Sequence, residues 1–196
     1  MDYDGNIYTT VIIGTREWMI ENYRCTHYND GTPIPNLTVN GDWVSDAAGA
    51  YCWFNNDIAN KPTYGALYNY FSAHNALLPP VGLGFRCANQ ADWADLITRC
   101  GGAAVTGKIK ETGTTHWMTP NTGANNEFGF MLLPGGYRQI TTGSFNMFTK
   151  EGHFWSSYYS PTRGYRFVGF YNSASITNDI NGFNNYGLSV RLVRDV

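Results

Sequence analysis

Few residues of this 196-residue chain are spaced for bond-making chemistry. Its four cysteines, Cys25, Cys52, Cys87 and Cys100, form no Cys-x-x-Cys pair and do not read as a zinc site. The four histidines, His27, His74, His116 and His153, stand singly among aromatics and turns without metal-ligand spacing. Only His116 beside Trp117 and His153 beside Trp155 are placed so that folding could bring a pair together. Ser156 and Ser157 follow Trp155, but no Gly-x-Ser-x-Gly elbow or suitably spaced base makes either a nucleophile. Asp30, Asp42 and Asp57 lie in polar loops and read as turn-forming side chains. The expectation is therefore no catalytic residue, no metal and no cofactor.

Recognition chemistry is better represented. From Phe154 to Arg194 the chain reads FWSSYYSPTRGYRFVGFYNSASITNDINGFNNYGLSVRLVR. Its two ends look like fixed framework, and its middle is rich in Tyr, Ser, Asn and Gly. Tyr offers large amphipathic contact area at low entropic cost, while Ser, Asn and Gly adapt their hydrogen bonds. The expected ligand face comprises Tyr158, Tyr159, Arg163, Arg166, Tyr171, Asn178, Asp179, Asn181, Phe183, Asn184 and Tyr186. Trp43 is a further aromatic suited to such a face. A period of two over residues 163–170 puts Tyr165 and Phe167 inward, with Phe170 in the core, and leaves Arg166 and Val168 outward. Stacking on sugar rings or docking into a protein pocket would use the same aromatics.

The elements that must position this face alternate between short strands and loops. Asn6 to Ile13 and Glu17 to Ile20 predict an N-terminal hairpin turning at Gly14-Thr15-Arg16. Thr63 to Asn75 predicts a helix with Leu67, Tyr70, Phe71 and His74 on one face, although its aromatics also suit a strand. Asn89 reads as the N-cap of a second helix, with Asp92 in its first turn, Trp93, Leu96 and Ile97 buried, and Gly101-Gly102 as its stop. That helix separates Cys87 from Cys100 by roughly 15 Å, beyond disulfide reach. Cys25 and Cys52 are the neighbouring pair left open to bridging. A long Gly- and Asn-rich stretch follows, then strands ending at Leu188 to Val193, which should share a sheet with the N-terminal hairpin. Helices early and strands late predict an α+β class, in one domain over residues 1–196.

Composition narrows the partners. The net charge is −2, charged residues make up 14% and aromatics 16%, and the scattered Lys and Arg form no stripe for a phosphate backbone. Nucleic acid is not an expected partner. No apolar stretch approaches a membrane span, and Met1-Asp2-Tyr3-Asp4-Gly5 is acidic rather than signal-like, so no membrane insertion is expected.

Several segments, in order, resemble one bacterial family, the Fibrobacter succinogenes major paralogous domain. They include Asp4-Gly5-Asn6-Ile7-Tyr8, Glu17-Trp18-Met19-Ile20-Glu21-Asn22, Asn29-Asp30-Gly31-Thr32-Pro33-Ile34-Pro35 and Tyr51-Cys52-Trp53-Phe54-Asn55-Asn56-Asp57. Further matches are Lys110-Glu111-Thr112-Gly113, Leu133-Pro134-Gly135-Gly136-Tyr137-Arg138, Trp155-Ser156-Ser157 and Ser189-Val190-Arg191-Leu192-Val193-Arg194. The resemblance implies a C-type-lectin-like fold related to formylglycine-generating enzymes, with two helices, a twisted, mostly antiparallel sheet and long irregular loops. Leu78 and Leu192 stand where family members usually carry cysteines. An apolar contact should replace that tie, each buried Leu contributing about 1.5–3 kcal/mol. The enzymes' late cysteine pair has no counterpart after Cys100, so the enzyme alternative lacks its thiolates. The calcium-lectin alternative finds Thr119-Pro120-Asn121, without the acid, and Trp53-Phe54-Asn55-Asn56-Asp57, which precedes it rather than follows. The ending is also similar to variable regions diversified by retroelements. Adenine-directed change at Asn codons cannot yield Lys, Glu, Gln, Met or Trp, and residues 156–194 contain none of these. The resemblance thus implies a ligand-binding or adhesion module outside the cell or on a phage particle, facing a protein or carbohydrate receptor.

Overall fold

The computed structural model describes all residues except Val81, residues 157–162 and Tyr171; Val105, Thr106, residues 163–167 and residues 176–183 are described by backbone alone. The N-terminal hairpin forms as β1 (Thr10–Ile13) and β2 (Arg16–Met19). Gly14 takes the turn at φ 66°, a left-handed backbone that favours glycine. β2 pairs antiparallel with β12 (Leu192–Asp195), which also pairs with β5 (Arg86–Cys87), giving the order β1-β2-β12-β5. The two ends of the chain therefore share one sheet.

The expected last strand is divided. Leu188–Ser189 (β11) joins a second sheet, while β12 joins the first. Between them, the Val190 carbonyl accepts from Tyr23 N–H and the Arg191 carbonyl from Ala88 N–H. These two residues thus bond to different segments and hinge the chain from one sheet to the other. The second sheet has the order β10-β9-β8-β11-β4-β3. Its members are β3 (Tyr51–Cys52), β4 (Leu67–Tyr68), β8 (Glu151–Ser156), β9 (Arg163–Phe170), β10 (Ile176–Phe183) and β11. The β8–β11 pairing is parallel, and the other pairings between its described strands are antiparallel. A two-stranded ribbon, β6 (Tyr137–Arg138) with β7 (Phe145–Asn146), completes the described strands. The class is α+β.

The Asn89-capped helix is present as α4 (Gln90–Arg99). Asn89 Oδ1 accepts from Asp92 N–H at 3.0 Å and Asp92 returns the bond to Asn89 N–H at 2.8 Å, a reciprocal cap. Its stripe of Trp93 and Leu96 is buried and Ile97 packs against that cluster. The helix expected over residues 63–75 is instead broken into α2 (Lys61–Tyr64), strand β4 and α3 (Tyr70–Ala73). Gly65 interrupts it at φ 70°, where an added Cβ would lie 2.7 Å from Asn22 Cβ and 2.8 Å from Tyr23 O. Leu67 and Tyr68 then spend their backbone groups on the sheet, and Asn69 caps a fresh turn by accepting from Ser72 N–H. Tertiary pairing overrides the local period.

Leu78 and Leu192 are both fully buried in one cluster with Tyr23, Tyr68 and Trp155. All four cysteines are free and buried. Cys25 and Cys52 lie in separate clusters, and burial pushes their thiols up to about 11 and about 12.

Candidate functional site

The stretch expected to carry the ligand face leaves and re-enters the frame at one place. Phe154 in β8 pairs in parallel register with Ser189 in β11, and Phe154, Trp155, Ser156, Leu188 and Ser189 are all buried. Beyond this neck, β8 pairs with β9 from Glu151↔Phe170 to Ser156↔Tyr165, and β9 pairs with β10 at the sheet edge. The register slips between Asp179↔Arg166 and Gly182↔Gly164, so residues 180 and 181 face residue 165 alone. Such a bulge sharpens twist and re-aims side chains.

Of the expected face, Arg163 and Arg166 lie on β9, and Asn178, Asp179, Asn181 and Phe183 on β10. Tyr158, Tyr159 and Tyr171 lie outside the described residues. Asn184 and Tyr186 are half-buried, with the Tyr186 ring 5.7 Å from Tyr137 against the core. Phe170, expected in the core, is half-buried, and the side chains of Tyr165 and Phe167 are not described. Two aromatic and apolar placements are corrected. Trp43 is fully buried, its indole N–H donating to Asn185 O at 2.8 Å and its ring stacked by Arg138 at 4.6 Å. Val168 is buried rather than outward: it sits opposite His153, whose ring is covered by Tyr137 at 4.6 Å. β9 is an interior strand, so both of its faces can be covered.

Three buried cations tie segments of the chain together, each donating to neutral oxygens. Lys110 Nζ donates to the carbonyls of Thr122, Phe170 and Ser173 at 2.9, 2.9 and 3.0 Å, with Trp117 at 5.1 Å. Two of those carbonyls belong to the end of β9 and to its connection to β10. Arg138 donates to Gly143 O, Leu37 O, Thr38 O and Asn40 Oδ1 between the rings of Trp43 and Phe145. Arg191 donates to Met19 O, Ile20 O, Phe130 O, Met131 O and Asn22 Oδ1, with Phe130 at 4.5 Å. Burial pushes Lys110 down to about 8 and Arg191 down to about 9. Neutral oxygens and aromatic faces offset part of that desolvation. Sequence reasoning missed all three, although each stands inside a matched motif.

A second cluster borders the neck. Tyr70 stacks on His74 at 4.1 Å, and both rings meet Trp155 edge-on, at 5.8 and 5.7 Å. Tyr70 N–H donates to Asn184 O at 2.9 Å. His74 Nε2 is one of several buried side-chain atoms without a hydrogen-bond partner, Ser156 Oγ and Asn184 Oδ1 being others. His74 also lines a cleft of about 550 Å³ with Asn29, Ala73, Pro79, Phe85 and Arg86.

The other three histidines each pair with a carboxylate. His27 pairs with Asp4 at 2.6 Å, His116 with Glu111 at 2.7 Å and His153 with Glu151 at 2.7 Å. His116 and His153 thus each hold a separate carboxylate. Asn121 spends its amide on Glu111 O and Gly113 O. Asp30 and Asp57 accept from the backbone two residues on, as turn-forming side chains do. Among the described residues no group of three or more His, Cys, Asp or Glu could hold a metal ion, and no helix is long and apolar enough to cross a membrane.

The chain belongs to the family described as the Fibrobacter succinogenes major domain, whose model matches residues 11–194. No curated protein and no solved structure matches the chain.

Proposed function

We propose that this family member is a binding module that presents residues 157–186 to a protein or carbohydrate receptor outside the cell. The observation that carries the reading is the neck. Phe154 and Ser189 are neighbours in the sheet, so the intervening residues form one excursion from a buried frame. Residues on such an excursion change with little effect on the core, which suits a surface selected for new contacts, including one diversified by a retroelement. The fold fits a C-type-lectin-like plan: chain ends in one sheet, one firm helix, and long loops feeding a mostly antiparallel second sheet. Exposed side chains on the edge hairpin would supply aromatic stacking and adaptable hydrogen bonds.

The test joins Tyr158→Ala, Tyr159→Ala and Phe183→Ala in one variant, screened beside the unaltered chain on glycan arrays and cell-surface protein panels. Binding by the unaltered chain and its loss in the variant, at a nearly unchanged melting temperature, is the expected result. A variant that no longer folds would place these aromatics in the core and end the reading. Chelator should leave both melting temperature and binding unchanged; a clear fall in either would make the module metal-dependent.

A further inference from the structure

The two large sheets treat their edges differently. At one edge of the second sheet, β3 is covered: Leu37 N–H donates to Tyr51 O at 3.1 Å, and Tyr51 N–H donates to Pro35 O at 2.9 Å. β1, at the edge of the first sheet, has β2 as its one strand neighbour among the described residues. Which of its backbone groups are used follows from the strands beside it. Thr15 O accepts from Val196 N–H, so Glu17 and Met19, in alternation, also turn toward β12. Thr9 O accepts from Ile20 N–H, so Trp18 and Arg16 turn toward β1. The antiparallel register then turns Val11 and Ile13 toward β2 and leaves the N–H and C=O of Thr10 and Ile12 pointing out of the sheet. Natural edges are blunted by charge, proline or a bulge, or are covered. Residues 6–13 read NIYTTVII, without charge or proline, and the register of β1 with β2 is unbroken. Ile12 on this edge is 62% exposed.

We propose that β1 pairs antiparallel with β1 of a second copy of this chain, about a two-fold axis at Val11. In that register Thr10 of each copy faces Ile12 of the other, and each facing pair exchanges two hydrogen bonds. Every outward donor and acceptor of both strands is then used. Centring the axis on Thr10 or on Ile12 would leave half of them unpaired within β1. The strand is therefore complementary to itself in one register. On the exposed face Ile12 packs beside Thr10 of the second copy, a β-branched cross-strand pair. On the opposite face the two Val11 side chains meet, each beside its own Gly129. The four strands of each copy become one continuous sheet, and the contact closes at two copies because both use the same patch. So short an edge buries well under the ~800 Å² per partner of a standard interface, so the dimer forms at high protein concentration. The β9–β10 hairpin belongs to the other sheet, and the pairing stands whether or not that hairpin meets a receptor.

The experiment follows sedimentation of the intact chain from low micromolar to millimolar concentration, with amide hydrogen exchange read at both ends of that range. A monomer–dimer equilibrium is expected. Protection at the Thr10 and Ile12 amides should appear only at the high end, while the Val11 and Ile13 amides, turned toward β2, stay protected throughout. Ile12→Lys places a charge on the edge at an exposed position and should abolish the dimer with the melting temperature nearly unchanged. Ile12→Pro removes an outward N–H and should also give a stable monomer, whereas Val11→Pro removes a bond to β2 and should lower the melting temperature. No association at millimolar concentration, a dimer without new protection at Thr10 and Ile12, or growth into larger species would overturn the proposal. A dimer that survives Ile12→Lys would do the same. Equal destabilisation by Ile12→Pro and Val11→Pro would place the Ile12 N–H inside the sheet and remove the self-complementary edge.

Discussion

Arg191 and Lys110 are held by the same chemistry but join different parts of the molecule. Every acceptor of Arg191 lies in the frame, at Met19 in β2, at Ile20 and Asn22 just after it, and at Phe130 and Met131. Lys110 reaches from the frame to Phe170, the last residue of β9, and to Ser173 in the connection to β10. The frame therefore closes over its own cation, whereas Lys110 ties it to the β9–β10 turn, alongside the β8–β9 pairing and the bond from Gly107 N–H to Ala174 O. A side chain that ties the frame to itself should control global stability, and one that ties frame to hairpin should control local order. Arg191→Met tests the first half. It leaves several buried carbonyls and Asn22 Oδ1 without donors, and the expected loss is roughly 3–5 kcal/mol in urea unfolding. A loss under about 1 kcal/mol would mean that these acceptors find other donors, and the comparison would fail.

Lys110→Met should have a smaller global effect, about 1–3 kcal/mol, because fewer acceptors are stranded and some lie near the surface. Its signature is local. Amide exchange should quicken through residues 168–176 while the Trp18↔Val193 pair between β2 and β12 keeps its protection. Equal quickening in both places would show that Lys110 belongs to the frame after all.

The same contrast explains what could be read from the chain beforehand. The helix beginning after Asn89 was legible because a cap, a first-turn acid and an apolar stripe all fall at fixed local spacing. The N-terminal hairpin was legible for similar reasons, through alternation around Gly14. The helix expected over residues 63–75 was not realised, since Gly65 must approach Asn22 and Tyr23, a contact with no local signal. Trp43 looked like a ligand aromatic because polar residues surround it in sequence, yet Arg138, almost a hundred positions away, covers its ring. The buried cations were invisible for a related reason. Their acceptors are main-chain carbonyls, which every residue possesses, so no pattern of side chains announces them. The neck was half legible: both framework ends were recognised, but only the register of β8 with β11 shows that they meet.

The smallest effect separates the two ways in which this fold stabilises charge. Asp92 is a buried carboxylate of the ordinary paired kind. Its Oδ1 accepts from Arg16 Nε at 2.8 Å and Arg86 Nη2 at 2.9 Å, and its Oδ2 from Arg86 Nη1 and Asn89 N–H. Desolvation pushes the carboxyl up, but the bonds from Arg86, Asn89 and Arg16 outweigh it and hold the pKa below the usual value of 3.8. The folded chain therefore gives up this proton more readily than the unfolded one. Its contribution is full above the ordinary carboxylate range and is lost as the pH falls through the lowered folded value. Lys110 donates to three carbonyls, which do not titrate, and should add nothing to that acid limb. Asp92→Asn is expected to flatten the fall of melting temperature below about pH 4, relative to the unaltered chain, while Lys110→Met leaves its slope unchanged. If both variants change the acid slope alike, the cation at Lys110 is coupled to a carboxylate and the division between the two kinds of site does not hold.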